Sequence, residues 1–447
     1  MQIFKNKILS RILSVLLIAA LIIGMDQALG YLLEPVDVVM YNNDFGREIT
    51  KLERSGEKAD AVFVGTSRTA RSIAPEVFED KLGLNCVINA GCDGQSFSGS
   101  YYQLKDLIER THPDRVYIEV TIDRLLNDRF NWRLLMLDRL SLKNKLLMAL
   151  NCFSPKDAVY FFKTYRYNDH FSLGQMKTTL EAKAEMEETR KLICQMLDEY
   201  YAGKGFVYSY SSCASGTIRI LSTDSFSREK IAPDKLKYLN ACVELCKKNN
   251  IDIALFTGVT SVMRMYACDG FQDADEYCRE YAEKNGIKYY NLNYMKDRET
   301  LLPDECMKDY NHSNGEGAMA ASKFFAEVIK AEEAGEDTSQ YFYANLDEFK
   351  KSVKRIVAVG AEIQPDEERE NILHISITSL QNDDVRPQYR VSLRKQDEEE
   401  YTVAQDWTAE SEIEIEIGDA ARYTIKVEAA AEDPSYGTAR QEYTYEK

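Results

Sequence analysis

The spacing of apolar and polar positions changes character along the chain, and each change marks a different kind of structure. Between residues 58 and 335, short apolar runs at 61–64, 86–89, 115–120, 251–257 and 288–292 read as strands. Helix-period segments separate or follow them, at 73–82 with Pro75 in the first turn and Gly83 after the end, then at 98–110, 236–248, 274–285 and 319–329. Strand and helix in alternation predict an α/β domain of three layers, α/β/α, with a parallel sheet covered on both faces. From about 121 to 233 the rhythm breaks into long polar and aromatic side chains, and 178–201 has helical composition. That stretch reads as an insertion with its own helices.

Past residue 336 the period becomes two. Leu373, Ile375 and Ile377 share a parity, as do Tyr389, Val391 and Leu393, then Ile413, Ile415 and Ile417, then Tyr423, Ile425 and Val427. With turns at Asn382-Asp383 and Gly418-Asp419, the pattern predicts an antiparallel β-sandwich of immunoglobulin-like type over 336–447. Such a module braces its neighbour, or binds carbohydrate or a partner through Trp407 and nearby tyrosines. At the opposite end, 12–25 is continuously apolar and the character resumes at 28–33, after Lys5, Lys7 and Arg11. Residues 1–34 are therefore expected to be a single-pass transmembrane signal anchor, with a neck at 35–57 and the bulk of the chain extracytoplasmic. Ala28-Leu29-Gly30 supplies the alternative, a cleavage site that would release a secreted protein.

Composition narrows the partners. Against 56 basic residues stand 73 acidic ones, a net charge of -17, which argues against nucleic acid or an anionic surface as the main partner. The ten cysteines have no ligand-like grouping; Cys242 and Cys246 are one helical turn apart and the others scatter, so no metal site is expected. Export would permit disulfides, but Cys86 and Cys92 flank a core strand and read as buried thiols. Asp269, Asp273, Asp275 and Glu276 lack the spacing of a hand-type calcium loop and read as caps and solvated charge. Arg124, Arg129, Arg133 and Arg139 read as a solvated basic face of the insertion, with a role near a site as the other reading.

Candidate chemistry concentrates at two places. In the stretch from Asp60 to Arg68, four apolar residues lead to Gly65 and a tight turn, and Ser67 stands at the start of a helix. A hydroxyl there lies at the carboxyl end of a strand, beside backbone N–H groups able to hold an oxyanion; as a plain helix cap it would do nothing more. A serine nucleophile needs a base, and the base a group that fixes its tautomer. Of the four histidines, His312 occupies a polar, glycine-bearing loop at a helix start, with Asp309 three residues before it. His112 precedes Pro113 in a connection, His170 lies in the insertion and His374 in a later strand. The Gly91 to Gly94 turn after the second strand falls at the same end of the sheet as Ser67.

Gly65-Thr66-Ser67 resembles the first block of the SGNH or GDSL hydrolases, Asn89 to Gly94 resembles the second, and Asp309-Tyr310-Asn311-His312 with Asn314 to Ala318 resembles the terminal block. The likeness covers about residues 58–332. It implies Ser67 as nucleophile, His312 as base, Asp309 as its orienting group, and an oxyanion hole from the Ser67 and Gly91 N–H groups, with no cofactor. Together with the amino-terminal anchor, the chain resembles the membrane-tethered branch that includes the D-alanyl-transfer protein of teichoic-acid modification and alginate O-acetylation proteins. That likeness implies a serine esterase or O-acyltransferase acting on cell-envelope polysaccharide or a teichoic-acid-like polymer. Its partners would be that polymer, the membrane and a membrane acyl-donor protein. Two positions depart from the pattern. Thr66 replaces the usual aspartate, and the third block, normally Gly-x-Asn-Asp, is replaced by Glu119-Val120-Thr121-Ile122-Asp123. Asn127 or Thr121 would then supply the missing donor, or the hole has backbone donors alone. A weak or inactive scaffold that binds envelope glycans through its β-sandwich is the alternative.

Overall fold

The computed structural model describes residues 2–126, 135–154, 156–168, 171–214, 216–218, 220, 225–231 and 233–447. Helix α1 (Gln2–Leu33) comes first, and its segment Leu9–Leu33, with a mean hydropathy of 2.2, is long and apolar enough to cross a membrane. Pro35, which has no N–H to continue a helix, separates it from α2 (Val36–Ser55). The α/β body opens with β1 (Ala61–Val64), α3 (Ser67–Ser72), α4 (Pro75–Leu82), β2 (Val87–Asn89), α5 (Phe97–Thr111), β3 (Arg115–Glu119) and α6 (Ile122–Leu126). Ala74 is extended, as the residue before a proline prefers. The chain after β1 therefore forms two short helices rather than one.

The insertion holds α7 (Leu142–Cys152), α8 (Lys163–Arg166), α9 (Leu173–Ala184) and α10 (Met186–Leu197), then a hairpin of β4 (Glu199–Gly203) and β5 (Phe206–Ser209). Helical composition to residue 201 overestimates the helix. Asp198 takes a left-handed conformation with φ 54°, ending α10, and Tyr200 pairs across the hairpin with Tyr208, their rings 5.3 Å apart. The body resumes with α11 (Pro233–Lys248), β6 (Asp252–Thr257), α12 (Val262–Ala267), α13 (Phe271–Asn285), β7 (Lys288–Asn291), α14 (Arg298–Leu301) and α15 (Gly315–Glu333).

The five strands lie in the order β2-β1-β3-β6-β7, all parallel. Both faces are buried, which is why the strands read as unbroken apolar runs. Val62, Val64, Val116, Ile118 and Leu255 pack beneath α5, α11 and α13, whereas Phe63, Tyr117 and Phe256 pack beneath α4 and α15. Phe63 stacks on Tyr117 at 4.6 Å and meets Phe78 at 4.7 Å. The chain leaves β1 for β2 on one side and then crosses to β3 on the other. That reversal opens a crevice at the carboxyl ends of β1 and β3, where open α/β sheets hold their ligands.

Helix α16 (Leu346–Ser352) leads into seven antiparallel strands: β8 (Ile356–Pro365), β9 (Ile372–Gln381), β10 (Pro387–Lys395), β11 (Thr402–Thr408), β12 (Glu412–Glu416), β13 (Arg422–Ala431) and β14 (Thr438–Glu446). They form two sheets, β12-β9-β8 and β11-β10-β13-β14, around a core that includes Ile375, Val391, Ile415, Ile425 and Val427. The inward parities are those of the sequence pattern. Strands β8, β11 and β14, which that pattern does not announce, all lie at sheet edges, and the alternation there is blurred. In β8 the cause is visible: Val359 faces the sandwich core while Val357 and Ala358 join the core of the α/β body. Just before β8, Arg355 donates to both oxygens of the buried Asp304 carboxylate at 2.9 Å, tying module to body. No disulfide joins the described cysteines.

Candidate active site

Ser67 opens α3 at the carboxyl end of β1. The turn that presents it is built over a buried acid, Glu119, at the end of β3. One Glu119 oxygen accepts from the Thr66 N–H at 2.5 Å, from Thr66 Oγ1 at 2.9 Å and from Thr69 Oγ1 at 2.7 Å. Gly65 leaves room for this: a Cβ there would fall 2.2 Å from Glu119 Oε2. Thr66 also caps α3, accepting from the Arg68 N–H at 3.3 Å. The serine is thus the first helical residue, not the cap. Among the described residues its N–H has no acceptor, so this donor is not committed within the fold.

His312 lies in the loop before α15. That loop is closed by Lys308 N–H donating to the His312 carbonyl at 2.8 Å, and by Asn314, whose side chain accepts from Gly317 N–H at 3.0 Å and donates to the Glu305 carbonyl at 2.7 Å. Ser313 Oγ donates to the Arg71 carbonyl at 2.9 Å and joins the loop to α3. The three side chains selected from the sequence therefore meet. Ser67 Oγ is 2.8 Å from His312 Nε2, and His312 Nδ1 lies 2.9 and 3.0 Å from the two Asp309 oxygens. Asp309 also accepts from the N–H groups of Asn311 at 2.7 Å and His312 at 2.9 Å. Burial acts to raise the Asp309 pKa, but the hydrogen bond and charge of His312, with those N–H groups, outweigh it and hold the carboxyl at about 2. An acid charged throughout the neutral range thus faces one imidazole nitrogen while the other faces a hydroxyl.

Gly91 requires a correction. Its N–H donates to Asn89 Oδ1 at 2.9 Å, inside the loop, so it is already engaged where an oxyanion-hole donor was expected. Asn89, at the end of β2, explains this: its amide donates to the carbonyls of Thr69 at 2.8 Å and Ile73 at 2.7 Å, satisfying the open end of α3, which leaves its oxygen for Gly91. Glycine is needed here for close packing. A Cβ on Gly91 would lie 2.3 Å from Ala70 N and 2.8 Å from the Thr66 carbonyl, both backbone atoms that cannot swing away. Gly91→Ala is expected to destabilise the protein by roughly 3 kcal/mol, read from urea denaturation against wild type. Thr121 is buried, with Oγ1 accepting from the Arg124 N–H at 3.4 Å. Asn127 lies outside the described residues, as do Arg129, Arg133 and His170.

No family model matches this chain, and no curated protein matches it either. Solved structures do resemble it. A Bacteroides fragilis protein assigned as an acylhydrolase covers 65% of this chain, with 96% of its own length, at 12% identity and a TM-score of 0.31. A two-domain esterase active on acetylated mannans covers 90% of this chain and 94% of its own, at 12% identity and a TM-score of 0.27. A Streptococcus pneumoniae protein assigned as a platelet activating factor covers 64% and 91%, at 10% identity and a TM-score of 0.31.

Two clusters flank the serine. On one side Asp123 accepts from Arg68 at 2.5 Å and from Arg264 at 2.8 Å, while Asn311 Oδ1 receives both guanidinium groups. Burial acts to raise the Asp123 pKa, and the two arginines hold it below the usual range. On the other side Arg71 bridges Asp93 at 2.8 Å and Glu199 of β4 at 2.8 Å, and Lys308 closes on Glu199. Two of the four arginines read as a solvated face are structural. Arg124 is buried over the Phe97 ring at 4.0 Å and donates to the Glu119 carbonyl, and Arg139 donates to the Gly91 carbonyl at 2.8 Å. Carbonyls at strand ends need donors, and long side chains from the insertion supply them. Glu119 and Arg264 escaped the sequence reading. Glu119 had left one signal, an acid that follows the buried run Val116-Tyr117-Ile118.

His112 ends α5 in a left-handed conformation, and His374, on β9, pairs with Asp366 at 2.8 Å within the β module. The Arg390 guanidinium covers the Trp407 indole at 4.8 Å. Among the described residues no group of three or more His, Cys, Asp or Glu side chains is placed to hold a metal ion.

Proposed function

We propose that this protein is an exported, membrane-anchored serine esterase or O-acyltransferase of the SGNH type, acting on acyl esters of a cell-envelope polysaccharide or teichoic-acid-like polymer. Ser67 Oγ attacks the acyl carbonyl as His312 Nε2 takes its proton, and Asp309 holds the imidazole and stabilises the imidazolium that forms. The Ser67 N–H at the start of α3 receives the oxyanion. When the tetrahedral adduct collapses, His312 returns the proton to the departing alcohol oxygen and leaves an acyl-serine. Water or a sugar hydroxyl then attacks that ester, with His312 again as base, and restores the free serine. The observation that carries this reading is the 2.8 Å approach of Ser67 Oγ to an imidazole whose other nitrogen meets a carboxylate.

A second reading, a weak or inactive scaffold that binds envelope glycans, is favoured by the Gly91 N–H being taken up by Asn89 and by the third-block asparagine being replaced. Each missing oxyanion donor costs on the order of 10²–10³ in rate. Treating the full chain in detergent with a fluorophosphonate and reading intact mass separates the two. Stoichiometric labelling of wild type that vanishes in Ser67→Ala is the expected result. Folded wild type that stays unlabelled would favour the scaffold.

A further inference from the structure

The covered part of α1 begins inside its apolar segment, not beyond it. Side chains from 9 to 22 are exposed all round, but from Ile23 onward one face is covered, at Ile23, Asp26, Gly30 and Leu33. The covering elements are α8 and α9 of the insertion. Asp26, buried within the apolar helix, accepts from the N–H groups of Lys163 and Thr164 at 3.0 Å each and from Thr164 Oγ1 at 2.7 Å. Gly30 lets Lys163 close in, since a Cβ there would lie 2.6 Å from the lysine's own Cβ. Lys163 Nζ reaches Glu34 at 3.0 Å, and the Lys183 ammonium, near the end of α9, sits 4.2 Å above the Tyr31 ring. Insertion and helix are clamped together over this length.

A hydrocarbon core of about 30 Å takes about 20 helical residues. A span that begins at Arg11 therefore ends near Tyr31, and the clamp at Ile23 and Asp26 falls at lipid depth. The insertion carries apolar surface to match. Phe171 is 63% exposed and Leu173 is 87% exposed, and Leu180 is exposed further along α9. Leu173, Lys177 and Leu180 are spaced i, i+4, i+7 and share one face of α9, with a lysine between the leucines that can reach phosphate while its stem lies along the apolar surface. We propose that Phe171 and this face of α9 lie in the outer headgroup and acyl boundary of the bilayer beside α1, as an interfacial docking surface for phospholipid. The inference rests on reading α1 as a membrane anchor. Docking of this kind fixes the catalytic body at one height and orientation above the membrane.

The test is photo-crosslinking of the full chain, reconstituted into vesicles of phosphatidylethanolamine and phosphatidylglycerol doped with a diazirine-tailed phospholipid, with adducts mapped by peptide mass spectrometry. Adducts are expected both within 9–25 and within 157–183. The double variant Phe171→Ser, Leu173→Ser, at two exposed positions, is expected to lower the 157–183 yield by about tenfold while the 9–25 yield holds. Adducts on 9–25 with none on 157–183 would overturn the inference alone, leaving that face to solvent or a protein partner. Adducts on neither segment would overturn the anchor reading and the inference with it.

Discussion

Replacing His312 with alanine is expected to slow fluorophosphonate labelling of Ser67 by roughly 10⁴-fold or more, because the hydroxyl then has no base to take its proton. Asp309→Asn should be nearly as severe, about 10⁴-fold, for a different reason. An amide in that place can accept from the imidazole or donate to it, so the tautomer with a free Nε2 lone pair loses its preference. The fold should survive both, since Asp309 and His312 are only part-buried. The pH dependence has a definite sign. The Asp309 carboxyl titrates at about 2, below its ordinary 3.8, so the pairing with His312 is complete above about pH 4 and is lost only as pH falls through 2. Between pH 5 and 8 the Asp309 carboxylate therefore keeps its charge, so an acid limb seen in that range by stopped-time labelling does not come from Asp309.

Glu119→Ala is expected to be the costliest single change to the support of the Ser67 turn. It strands the Thr66 N–H and the hydroxyls of Thr66 and Thr69 without their acceptor and opens a cavity beneath the turn, for a loss of about 3–5 kcal/mol. Glu119→Gln separates position from stability. The amide keeps the shape and one accepting oxygen, so the protein should unfold near the wild-type urea midpoint, yet Ser67 labelling should slow by about tenfold as the turn loosens. Equal losses in stability and labelling across both variants would reduce Glu119 to a core residue. A Gln variant that is stable but slow would establish it as a positioning group.

Much of this was local and therefore legible. Pro75 and Gly83 bracket one helix, and the shared parity of Ile413, Ile415 and Ile417 gives the sandwich its inward face; such signals lie within a few residues of what they specify. The meeting of Ser67, His312 and Asp309 was legible for a related reason. A serine after a buried strand and a histidine three residues beyond an aspartate each carry a local context, even though 245 residues separate Ser67 from His312. The hairpin at Glu199 to Ser209 was less so, because helical composition ran into it and only the cross-strand tyrosine pair and the left-handed Asp198 decided for β.

What the sequence alone determined was the alternation of strands and helices in the α/β body, the three-layer α/β class, the apolar first helix and the residue types able to form a charge-supported serine. The tertiary structure decided the rest. It took the Gly91 N–H for Asn89, placed Glu119 under the Thr66 turn, buried Arg124 against Phe97, and paired Arg68 and Arg264 on one aspartate. Hydrogen-bond donors and acceptors at the ends of strands have no period. Their partners arrive from other strands and from the insertion once the sheet has closed, and only then is it settled which groups are satisfied and which are left to face a substrate.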